Sequence, residues 1–153
     1  MSGTVAVTET LMIRPGALRL LGGPGVIVAS RRRGPPGFAR GVVLKYRAVE
    51  QLGEFLDATT PQLMRVIEIN ERTAQRRREQ GALTAEESDR LARVARVTDR
   101  AVDAFGDAEQ AKAWLRTPNR ALHGAAPFDL LGTDSGAELV TDELGRIEFG
   151  DLY

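Results

Sequence analysis

From residue 42 onward, apolar side chains recur at helical spacing through most of the chain. Val49, Leu52 and Leu56 stand at steps of three and four, on one side of a helix predicted over 45–57. Thr60-Pro61 opens a short second helix carrying Leu63, Val66 and Ile67; threonine is a good N-cap and proline suits the first helical position. After a break at Ile69-Asn70, a polar helix is predicted from Glu71 to Gln80, ended by Gly81. Thr84-Ala85-Glu86-Glu87 has the form of a capping box, in which hydroxyl and carboxylate each accept a backbone N–H. It opens a longer helix with Leu91, Val94, Ala95, Ala101, Val102 and Phe105 inward, closed by Gly106. Asp107 starts another, with Ala111, Trp114 and Leu115 inward, which stops at Pro118. A loop over 119–127 and an apolar turn at Phe128, Leu130 and Leu131 lead to Thr133. That residue caps a last helix marked by Ala137, Val140, Leu144 and Ile147.

Residues 1–41 read differently. They are rich in Gly, Pro and Arg, with short β-like runs at 4–8 and 26–29, and Pro24, Pro35 and Pro36 oppose a long helix. The expectation is an extended arm. The fold class is therefore all-α: a helix-turn-helix region over 42–105, a small helical domain over 106–153, and the arm over 1–41. No internal repeat is visible.

Composition removes much chemistry. The 153 residues contain no cysteine and one histidine, His123, which excludes thiol nucleophiles, thiolate metal sites and His-pair metal sites. Gly23-Pro24-Gly25 lacks both the third glycine of a dinucleotide fingerprint and the Gly-Lys-Ser/Thr ending of a nucleotide loop. Carboxylates are plentiful, but no spacing pairs two of them with a nucleophile or base. A binding protein with no enzymatic activity, cofactor or metal is expected. The apolar stretch over 17–29 is interrupted by Arg19, Gly22, Gly23, Pro24 and Gly25, so no membrane span is expected and the cytoplasm is the expected location.

The net charge of zero conceals a division. Residues 1–100 carry 17 Lys and Arg against 11 Asp and Glu; residues 101–153 carry 4 against 10. Within the basic part, Arg72, Arg76, Arg77 and Arg78 stand with Gln75 on the second helix of a helix-turn-helix outline. On such a helix, arginine can pair with guanine, glutamine with adenine, and the remaining arginines with phosphates. A solvated amphipathic helix, or a basic face for an acidic protein, accounts for the same pattern. The turn at 67–70 lacks the usual glycine. Arg93, Arg96 and Arg100 alternate with Asp89, Asp99 and Asp103, which predicts pairing within their own helix. Trp114 reads as core and His123 as a turn residue. At the end of the chain, Phe149, Leu152 and Tyr153 surround Asp151, after Arg146 and Glu148. Aromatic anchors there suit a partner's pocket, or packing against the chain's own core or a second copy.

The run Ala113-Trp114-Leu115-Arg116-Thr117-Pro118-Asn119-Arg120-Ala121-Leu122, followed by Pro127-Phe128-Asp129-Leu130-Leu131, resembles the C-terminal domain of ParS/Xre/MbcA-type antitoxins. So do Thr133, Gly136-Ala137, Val140 and Leu144-Gly145-Arg146-Ile147-Glu148-Phe149-Gly150. Upstream, Arg76-Arg77-Arg78, Gly81, Leu83-Thr84, Glu86-Glu87-Ser88 and Arg90-Leu91 resemble that family's Xre-type region. The resemblance covers about 45–153. Where the family usually has Leu-Gly-Gly, this chain has Leu122-His123-Gly124.

The resemblance implies an antitoxin of a type II toxin–antitoxin system, partnered by a RES-domain toxin that consumes NAD⁺ by degrading it or by ADP-ribosylation. It implies that the C-terminal segment obstructs the toxin's active site, a role that falls here on Arg146, Glu148, Phe149, Asp151, Leu152 and Tyr153. It also implies repression of its own operon through operator DNA. That contact is assigned to Arg72, Gln75, Arg76 and Arg78, with Thr73 in support. A homodimer carrying two toxins, a heterotetramer, is the expected assembly. The alternative is a stand-alone helix-turn-helix regulator whose C-terminal half only dimerises.

Overall fold

The computed structural model describes residues 13–30 and 42–150. It contains helices α1 (Pro15–Leu20), α2 (Arg47–Leu56), α3 (Thr60–Val66), α4 (Glu71–Gln80), α5 (Ala85–Phe105), α6 (Ala108–Arg116) and α7 (Asp134–Glu148). Two short strands, β1 (Ile27–Ser30) and β2 (Val42–Leu44), pair antiparallel, and short 3₁₀ turns cover Arg120–Leu122 and Pro127–Leu130.

The central element is α5. It packs against α1, β2, α6 and α7, so one helix supports both halves of the chain. Leu91, Val94, Ala95 and Ala101 on its inner side are fully buried. At its start, Thr84 and Glu87 form the expected capping box: the Glu87 carboxylate accepts the Thr84 N–H at 2.8 Å, and the Thr84 hydroxyl accepts the Glu87 N–H at 3.2 Å. Gly106 ends the helix with φ +67, a conformation open to glycine at little cost. Asn70, Asp107 and Thr133 cap α4, α6 and α7 through their side chains. For α3 the cap is Thr59, one residue earlier than expected; its hydroxyl and the Gln62 side chain form a second capping box.

The mostly helical fold expected from the sequence is the one observed, and the N-terminal part adds two features to it. The described portion of the supposed extended arm is folded: α1 lies on α5, burying Ala17, Leu18 and the following Leu21. Pro15 does not oppose this helix because it occupies the first turn, where its missing N–H has no partner to lose. Arg14 ties the same end to Asp99 at 3.2 Å. The other is a small two-stranded sheet beside the helices. Val42–Leu44 is extended and pairs Leu44 with Ile27 and Val42 with Ser30. Leu44 then accepts the Leu83 N–H at 2.9 Å and donates its own N–H to the Ser88 hydroxyl at 2.9 Å, which pins β2 beside the start of α5. The β-like run at 4–8 lies outside the described residues.

The two halves meet along α5 and across α3. Arg116 at the end of α6 donates to the carbonyls of Leu56 and Asp57, closing the C-terminus of α2. Gly132 permits a close approach between the halves, and Gly136 one within the C-terminal part. A Cβ at Gly132 would run into the Val66 carbonyl, and one at Gly136 into the Leu130 carbonyl. The start of α7 thus sits directly against the helix-turn-helix.

Candidate functional site

Helix α4 contains no buried residue. Its stability comes from its ends and its sides. Asn70 accepts the Thr73 N–H at 2.8 Å, Gly81 closes it with φ +78, and Gln75 donates to Glu79 at 3.2 Å. The one strong tie to the body of the protein is Arg77, whose Nε donates to both Glu87 oxygens, at 2.7 and 3.1 Å. Burial alone pushes the Glu87 carboxyl upward. The Arg77 hydrogen bond, the Thr84 N–H and the Arg77 charge outweigh it and hold the carboxyl below the ordinary glutamate range.

With Arg77 turned inward, Arg72, Gln75, Arg76 and Arg78 are exposed and Thr73 is half-buried. A groove of about 580 Å³ between α3 and α4 runs past Tyr46, Thr60, Met64, Asn70, Gln75 and Arg78. The turn that sets the two helices is made without glycine: Glu68 itself takes the left-handed conformation, φ +59. Arg90 of α5 secures the turn by donating to the Ile67 carbonyl at 2.9 Å. A polar, arginine-bearing face is thereby presented to solvent on a short, capped helix.

The second candidate surface is α7. Gly136, Ala137, Val140 and Leu144 are buried, and Ile147 is half-buried. Leu139 lies off this stripe and is 53% exposed; Phe149, just past the helix, is 82% exposed. Leu139 escaped the sequence reading because only the buried stripe repeats at helical spacing. The signal for it was an apolar residue out of phase with that stripe.

The residues expected to block a partner do not act alike. Arg146 pairs with Glu143 on its own helix at 2.6 Å. Glu148 is held by Arg100 of α5. Phe149 projects into solvent, while Asp151, Leu152 and Tyr153 lie outside the described residues.

The arginines of α5 also depart from expectation. Two of the three reach to other elements: Arg93 donates to the Gly132 carbonyl at 2.9 Å and pairs with Asp134 at 2.5 Å, and Arg100 pairs with Glu148. Their neighbour Asp99 is engaged by Arg14. Within α5 itself the one close pair of spacing four is Arg90–Glu86, at 3.9 Å. Arg93, spanning to α7, also satisfies the open backbone at 132, which a partner on its own helix would not allow. Trp114 is half-buried with its ring 5.7 Å from that of Phe105. His123 is exposed, in a left-handed turn with φ +57. Among the described residues no group of three His, Cys, Asp or Glu is placed to hold a metal, and no helix is long and apolar enough to cross a membrane.

Both surfaces fall within stretches that match domains of known proteins. Residues 37–96 match the Antitoxin Xre-like helix-turn-helix domain, and residues 100–150 match the Antitoxin Xre/MbcA/ParS C-terminal toxin-binding domain. The chain is 44% identical over 91 residues to Antitoxin Xre of Yersinia enterocolitica, covering 58% of this chain and 62% of that protein. It is 48% identical over 71 residues to Antitoxin Xre of Photorhabdus laumondii, covering 46% and 48%. With Antitoxin Xre of Pseudomonas putida the identity is 41% over 68 residues, covering 44% and 43%. The matched stretches thus span less than two thirds of each relative's length. All three relatives carry the name Antitoxin Xre. The matched segments are the ones that present the arginine face of α4 and the exposed end of α7, and on that footing the chain belongs to the Xre/MbcA/ParS antitoxin family.

Proposed function

We propose that this protein is the antitoxin of a type II toxin–antitoxin system, which neutralises a RES-domain, NAD⁺-consuming toxin by placing its C-terminal segment in the toxin's active site. The observation that carries this reading is Phe149. It is a large aromatic, 82% exposed, at the tip of the helix that ends the matched toxin-binding domain. Leaving such a side chain in water forgoes about 1.5–3 kcal/mol of burial free energy, which a partner's pocket recovers. The excess of acidic residues over 101–153 complements the positive groups a toxin needs to hold a dinucleotide's phosphates. Arg72, Gln75, Arg76 and Arg78, with Thr73 in support, serve operator DNA in this reading and make the protein a repressor of its own operon. The assembly is a homodimer carrying two toxins.

The test is co-purification with the product of the neighbouring gene, followed by an NAD⁺-consumption assay. The full-length chain is expected to abolish consumption at equimolar ratio. A chain ended after Gly150 is expected to leave most of the toxin's activity. Inhibition that survives this truncation would move the blocking surface upstream, to Phe149 and the outer face of α7. Failure to co-purify would leave a stand-alone transcription regulator as the better reading.

A further inference from the structure

Helix α7 leaves the core before it ends. Leu144 is its last fully buried side chain; beyond it Ile147 is half-buried and Phe149 is exposed. The closing backbone bonds are local: the Phe149 N–H donates to Gly145 at 3.0 Å and the Gly150 N–H to Ile147 at 3.3 Å. Arg146 adds nothing to the tether, because its partner Glu143 lies on the same helix. Beyond Leu144, the ionic link from this last turn to the rest of the molecule is Arg100 of α5 with Glu148. Both side chains are partly shielded, 27% and 35% exposed. The Arg100 cation also stands beside the C-terminal turn of α7, where the unpaired carbonyls carry partial negative charge.

We propose that Arg100 is a positioning residue for inhibition: by holding Glu148 it fixes the direction in which Phe149 and the following residues leave the bundle. Glu148 then serves the antitoxin's own geometry and does not contact the toxin. This rests on the function proposed above. A partly exposed ion pair contributes little to global stability. Its effect is local, because a helix end tied by few contacts frays at small cost. A frayed tail must be ordered when it enters a pocket, and that ordering is subtracted from affinity.

The experiment compares Arg100→Glu, Glu148→Arg, the double exchange, and the milder Arg100→Gln, each in the full chain. Amide hydrogen exchange on the free protein is read first. Arg100→Glu, Glu148→Arg and Arg100→Gln are expected to speed exchange at Phe149 and Gly150 several-fold, with α5 amides unchanged. In the toxin-inhibition assay, Arg100→Glu and Glu148→Arg are expected to raise the inhibition constant about tenfold. The double exchange is expected to restore it to within about twofold of the parent. Rescue is the decisive readout, since a Glu148 that touched the toxin could not be replaced by arginine. The proposal is overturned if exchange at 149–150 does not change, if Arg100→Glu and Glu148→Arg inhibit like the parent, or if the double exchange fails to recover inhibition. The chain ended after Gly150 separates this proposal from the reading beneath it. If that truncation inhibits fully, the blocking role of residues 151–153 fails, and the exchange data alone decide whether Arg100 orders the last turn.

Discussion

Glu68 stands at the turn between α3 and α4 with φ +59, a conformation that costs a residue with a Cβ roughly 1–2 kcal/mol. Its carboxylate is exposed, although its Cγ lies near Gly132 at the start of α7. Glu68→Gly is therefore expected to stabilise the protein by about 1 kcal/mol, read as a shift in the urea midpoint with an unchanged slope. A destabilised variant would show that the Glu68 side chain offsets its own backbone cost. The sequence announced a break at this place but not how it is made, because the residue that usually signals such a turn is glycine. His123 is the parallel case. It occupies a left-handed position, φ +57, which glycine adopts more readily than a residue with a Cβ. Site residues were legible to the same limited degree. The exposed positions on α4 follow from its polarity, whereas the inward turn of Arg77 depends on Glu87, ten residues later in the chain, and no local pattern shows it.

Among the elements, α4 depends most on electrostatics. None of its side chains is fully buried, although Ala74 packs against the core, so the Arg77–Glu87 pair and the caps do much to hold it in place. Glu87→Gln keeps a capping amide but removes the charge that Arg77 meets, and is expected to cost about 2 kcal/mol at neutral pH. The pH dependence has a definite sign. The folded carboxyl titrates below its unfolded value, so the contribution is complete above the ordinary glutamate range. It is lost as pH falls through the lowered folded value. The stability difference between parent and Glu87→Gln should therefore shrink on acidification below about pH 4.5, as followed by urea denaturation. A difference independent of pH would assign the loss to the cap and not to the ion pair. Helices with full amphipathic stripes and side-chain caps were readable from sequence, down to Gly81 and Gly106. The elements that were not readable, α1 and β2, span six and three residues. Segments that short have no stable conformation of their own, and tertiary contact with α5 decides their structure.

For the whole molecule, the charge division takes on spatial meaning. The arginine face of α4 lies on the helix-turn-helix, and the acidic C-terminal part supplies α7. If α4 enters the major groove, operator affinity should fall steeply with salt. Arg76→Ala should weaken it by about 1–3 kcal/mol, more on the operator than on unrelated DNA. Fluorescence anisotropy with a labelled promoter fragment checks both, and equal affinity for parent and variant would remove α4 from the contact.

Helix α5 spans 21 residues, a rod about 30 Å long. One end holds Arg77 through Glu87, and toward the other Arg100 holds Glu148. At that length, a bend of about 10° in the middle of the rod would displace one end by a few ångströms relative to the other. That is comparable to the tolerance of a helix in a DNA groove or a side chain in a pocket. The rod is in effect a spacer of fixed length and fixed phase. A proline or an inserted residue within it would put both surfaces out of register together, even with every contact residue left in place.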